Sequence, residues 1–194
     1  LPWIYFAARI VFGWLLLYIC YLAVCFLFKK SIYRVVGCIL IFFSTGFWLV
    51  ANNEGVLSVQ QFLTFWTRFD PLLRTTFLPH HLLATFLGLS SLILLAKAII
   101  QSSVKKAVFA GLIGFVAGLN YHGTMTNILG GLVIASLIYS ISFIFRQPGK
   151  RLKILLHDLQ YIFLYFCLSV ISLVYILSLT HSVYPFTKAS NMGG

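Results

Sequence analysis

Residues 3–28 read WIYFAARIVFGWLLLYICYLAVCFLF, an apolar run with a single charged residue, Arg9. A helix that crosses the hydrocarbon of a bilayer needs ~20 such residues. This run is longer, so it tilts or projects from the membrane. Arg9 lies near one end, where a long basic side chain can reach the interface.

The same pattern recurs along the 194 residues. Further spans are expected at about 33–51, 78–100, 107–119, 125–145 and 154–179. The expected fold is therefore all-α: a polytopic integral membrane bundle of about six helices in a single transmembrane domain. Composition agrees, because 61% of residues are hydrophobic and 9% are charged. A water-soluble domain of this size carries about a quarter charged residues.

The formal charge of +11 comes from 14 Lys and Arg against 3 Asp and Glu. Ten of the basic residues (Lys29, Lys30, Arg34, Lys97, Lys105, Lys106, Arg146, Lys150, Arg151, Lys153) fall at one set of span ends, and Arg9, Arg68, Arg74 and Lys188 at the other. Basic loops stay on the cytoplasmic or matrix side. The charge is thus read as topology, and no nucleic-acid partner is expected. A bacterial inner membrane or an organelle membrane fits this reading. The cysteines, Cys20, Cys25, Cys38 and Cys167, form no CxxC pair and read as apolar packing residues. No metal site is expected.

The long connection after the second run carries an amphipathic pattern. Val56, Val59, Phe62, Leu63, Trp66 and Phe69 recur at helical spacing, and Ser58 with Gln61 has capping-box spacing. An outer interfacial helix is expected over about 58–70, ended by Asp70-Pro71. In the fourth run, Gly114 and Gly118 form GxxxG with Gly111 one turn earlier, a spacing that lets another helix backbone approach.

Polar residues in or beside hydrocarbon are costly and mark candidate sites. Arg68, Asp70, Arg74, His80, His81, Asn120, His122 and His181 all fall on the expected outer side. Of these, Arg68, Arg74, His80, His81, Asn120 and His122 are the candidate ligands of an anionic lipid headgroup, since guanidinium groups grip phosphate in a bidentate way. Haem ligation by two of the histidines is an alternative, and no cofactor is otherwise expected. His157 and Asp158 open the sixth run near the basic side and are candidates for a proton relay.

The stretch Phe69-Asp70-Pro71, then Pro79-His80-His81-Leu82-Leu83-Ala84, a span, a basic turn, a Gly-rich span and a His-bearing break resembles the middle of multi-spanning glycosyltransferases of the C-type superfamily. The resemblance covers roughly residues 62–145 and implies transfer of a sugar from a polyprenyl-phosphate donor at the outer face. The family's catalytic acid sits in a large outer loop after the first span, which has no counterpart here. The chain would then be a later section of a longer enzyme, and neither Glu54 nor Asp70 is assigned catalysis. The other reading is a non-catalytic structural or assembly subunit of a larger membrane complex, of respiratory or photosynthetic type. It is motivated by scarce acids, abundant aromatics and packing glycines.

Overall fold

The computed structural model describes residues 2–43, 48–53, 56–61, 78–146 and 152–182. They form six helices and one hairpin: α1 (Pro2–Leu27), α2 (Ser31–Phe43), β1 (Trp48–Asn53), β2 (Val56–Gln61), α3 (Pro79–Ile100), α4 (Val104–Asn120), α5 (His122–Arg146) and α6 (Leu152–Ser182). This is a helical membrane bundle. Four helices are long and apolar enough to cross a bilayer, at Trp3–Leu27, Pro79–Ile100, His122–Phe143 and Ile154–Leu179. The 13-residue α2 and the 17-residue α4 are shorter.

Two expectations change. Within the second apolar run, Ser31–Phe43 is helical and Trp48–Asn53 is extended. Ser58 to Gln61, expected to start the interfacial helix, instead belong to β2. The strands are antiparallel, and their register pairs Asn53 with Val56. Asn-Asn-Glu-Gly lies between two stretches containing Val50, Val56 and Val59, and turn residues flanked by β-branched ones favour a hairpin over a helix. The rest of the expected interfacial helix, residues 62–70, lies outside the described residues.

The chain divides into two compact units, residues 1–86 and 87–194. In the first, α2 folds back on α1. The Arg34 Nε donates to the carbonyl of Phe28 at 2.7 Å, which closes the end of α1, and Lys30 lies 5.8 Å from the centre of the Tyr33 ring. Gly37 is buried, and a Cβ there would stand 3.1 Å from Val24 and 3.3 Å from Phe28.

In the second unit the helices alternate in direction. Three residues, Gln101 to Ser103, join α3 to α4. Ser103 N donates to the Ala98 carbonyl at 2.9 Å and Ser102 N to that of Ile99 at 3.2 Å. This is a Schellman closure with Ser102 in the left-handed region at φ 48°. Tyr121 alone joins α4 to α5, in extended geometry. A core of Leu95, Ala98, Ala107, Ala110, Ala117, Met125, Leu129, Tyr161 and Tyr165 lies between the helices.

The tightest seam runs between α4 and α6. Gly111, Gly114 and Gly118 are buried on one face of α4. A Cβ at Gly111 would stand 2.8 Å from Leu168, and one at Gly114 or Gly118 would collide with the hydroxyl of Ser169 or Ser172. The expected close approach at this GxxxG is therefore made, by α6. Of the cysteines, Cys20 is buried, Cys25 and Cys38 are half-buried and Cys167 is exposed, so packing does not account for Cys167.

Candidate functional site

Of the six candidate headgroup ligands, Arg68 and Arg74 lie outside the described residues. His80 and His81 occupy the first turn of α3, in the first unit. Pro79 starts the helix, a position where its missing N–H costs nothing. The Leu78 carbonyl accepts from the N–H groups of His81 at 3.0 Å and Leu82 at 3.3 Å. The two imidazoles meet edge to face with centroids 4.3 Å apart. His80 is exposed and His81 half-buried. An exposed imidazole at a helix start can donate to an anion.

Asn120 and His122 flank Tyr121 in the second unit. The Asn120 amide donates to the Val116 carbonyl at 2.9 Å, which extends the end of α4. His122 is exposed as the first residue of α5, and its carbonyl accepts from the Thr126 hydroxyl at 3.0 Å. The Tyr121 ring covers Gly123, where a Cβ would stand 2.9 Å from it. The polar break expected over 120–124 thus narrows to Tyr121. His181 falls in the last turn of α6, and its side chain lies outside the described residues.

The residues at the basic end make a different cluster. The Tyr139 hydroxyl on α5 donates to Asp158 Oδ2 on α6 at 2.8 Å. His157 Nδ1 lies 3.7 Å from Asp158 Oδ1, and His157 Nε2 lies 3.1 Å from the Tyr161 hydroxyl. Asp158 is the single acid among the described residues. The sequence singles out His157 and Asp158 but not their tyrosines. Tyr161 could have been found from its i+4 spacing to His157.

A third polar group lies deep in the second unit. Ser91 on α3 and Tyr165 on α6 share a hydrogen bond of 2.8 Å, and Ser91 also donates to the Gly88 carbonyl at 2.7 Å. Ser169 donates to the Gly111 carbonyl at 3.3 Å, and Ser172 to that of Ser169 at 2.7 Å. Ser91, Tyr165, Ser169 and Ser172 are all fully buried. Every one of these hydroxyls is engaged, so the group fixes helix positions and offers no open polar atom to a ligand.

No protein-family model, curated protein or solved structure matches the chain.

Proposed function

We propose that this chain is a membrane-embedded helical module that works within a larger membrane assembly, with α5 as the helix that meets the other members. The supporting observation is how little of α5 is covered. Buried residues make up 6% of its most apolar window, against 28% for α1 and for α3. Gly130 and Gly131 lie mid-helix with nothing within 4 Å of a Cβ at either position. Glycine weakens a helix, and in membranes it is useful where another backbone comes close. The glycines of α4 have such a neighbour in α6; those of α5 await one. The full reading has six crossings, with basic loops toward the cytoplasm or matrix. The test is native mass spectrometry of the protein released from its membrane in mild detergent. Particles heavier than the 21.9 kDa of this chain, containing further membrane helices, are expected. A stable one-copy particle of this chain alone would refute the reading.

The second reading is a module of a lipid-linked sugar transferase that holds a polyprenyl-phosphate headgroup at its outer face. The exposed His80 at the start of α3 favours it, with Arg68, Arg74 and His81 as further ligands. Photolabelling by a polyprenyl-phosphate analogue should fall when Arg74 and His80 are both replaced by Ala. Unchanged labelling would remove these residues from the site.

A further inference from the structure

Between them, α5 and α6 leave a groove of about 420 Å³. Leu132 and Ile162 in it are half-buried, while Val133, Leu137 and Phe163 stand exposed along it. Two serines also line it, and both spend their hydroxyl hydrogens on the backbone. Ser136 donates to the Leu132 carbonyl at 2.7 Å, and Ser140 to that of Ser136 at 2.8 Å. The groove therefore suits hydrocarbon. On α5 it runs from Leu132 to Ser140, about 12 Å at 1.5 Å per residue. A helix is about 10 Å across with its side chains, so that length of helix, seated whole, would need roughly 900 Å³. The groove holds less than half of that volume, which fits a single flexible chain.

One end of the groove is the basic end of both helices. The apolar spans finish at Phe143 on α5 and start at Ile154 on α6, so Ser140 and Leu159 lie just inside them. Six residues beyond Ser140 stands Arg146, in the last turn of α5, and six before Leu159 stands Lys153, in the first turn of α6. Each step is about 9 Å along its helix. The connection from one to the other adds Lys150 and Arg151 and no acid. Asp158, the single acid among the described residues, accepts from Tyr139 and lies 3.7 Å from His157. An apolar groove that runs up to a cationic end complements a molecule with a hydrocarbon chain joined to a negative headgroup. Basic loops stay on the side of the membrane where anionic lipids attract them.

We propose that this groove binds an anionic glycerophospholipid, with one acyl chain lying between α5 and α6 and the phosphate at the level of Arg146 and Lys153. The site is separate from the outer histidines and stands apart from the assembly reading. The experiment places the full chain in phosphatidylcholine vesicles containing a trace of phosphatidylglycerol that carries a diazirine midway along one chain. Illumination should leave adducts on the peptides spanning 132–140 and 159–166. Phosphatidylcholine with the same diazirine chain should label them far less. Replacing Arg146 and Lys153 by Gln should lower the phosphatidylglycerol yield about fivefold for each charge removed, toward the phosphatidylcholine level. Ser136→Phe, which fills the groove, should lower both yields. Equal labelling by the two headgroups from the start would reduce the groove to ordinary lipid contact and overturn the proposal. Adducts confined to other helices would also overturn it. So would labelling of these peptides in the purified chain with none in native membranes, which would place another protein in the groove.

Discussion

The Tyr139 hydroxyl and the Asp158 carboxylate meet at 2.8 Å and tie α5 to α6 near the end of the bundle where the basic residues gather. A bond to a charged acceptor contributes more than a neutral one, but this one is partly exposed. Tyr139→Phe should cost about 1 kcal/mol in unfolding free energy. Asp158→Ala should cost more, because it also removes the carboxylate beside His157. Denaturant titration in mixed micelles measures both. Equal stability of wild type and Tyr139→Phe would show that the bond contributes nothing.

The α4–α6 seam distinguishes two glycines that look alike in sequence. At Gly114 a Cβ collides chiefly with the Ser169 hydroxyl, while the Ser169 Cβ stands 3.3 Å away. At Gly118 the Ser172 Cβ is itself at 2.8 Å. Both Gly→Ala variants should lose about 1–3 kcal/mol through overpacking. Ser169→Ala should restore much of the loss in Gly114→Ala. Ser172→Ala should restore little in Gly118→Ala. Equal rescue at both positions would contradict the seam geometry.

Ser102 holds a left-handed conformation that glycine adopts freely. Its N–H closes α3, and glycine keeps that donor. Ser102→Gly should therefore stabilise the protein by roughly 0.5–1 kcal/mol. Ser102→Val, branched at Cβ, should destabilise it. Thermal unfolding in detergent gives the order of the three.

The buried bond between Ser91 and Tyr165 predicts a modest effect. Tyr165→Phe keeps the ring in the core and leaves Ser91 its bond to Gly88. A loss of about 0.6–1 kcal/mol is expected, as for other interhelical hydrogen bonds in membranes. Tyr165→Ala, which empties the ring's volume, should cost about 3–5 kcal/mol. A Tyr165→Phe loss as large as that of Tyr165→Ala would place the hydroxyl, not the ring, at the centre of the packing.

The long helices were legible because a bilayer demands length and apolarity together. The runs at 78–100 and 154–179 lie within α3 and α6, apart from Leu78. The bends were less legible. Residues 33–51 look continuous by hydropathy, yet Trp48–Asn53 pairs with a strand that periodicity alone does not reveal. Of the candidate headgroup site, the sequence located His80, His81, Asn120 and His122 at helix ends. It could not show that one N–H of the Asn120 amide serves the Val116 carbonyl. Ser91 and Tyr165 are 74 residues apart, and no spacing rule connects them.

α4 has 17 residues and α6 beside it has 31, about 25 Å and 46 Å long at 1.5 Å per residue. The three-residue connection at one end of α4 and the lone Tyr121 at the other leave little slack to lengthen it. Hydrocarbon is about 30 Å thick. On the six-crossing reading, lipids against the exposed Phe109, Leu112 and Val116 would shorten to match, at fractions of a kcal/mol for each Å of mismatch. The protein presents a low wall on that flank and a high one along α6. On that reading it would favour thin bilayers over thick, sterol-rich ones, and would gather short-tailed lipids along α4.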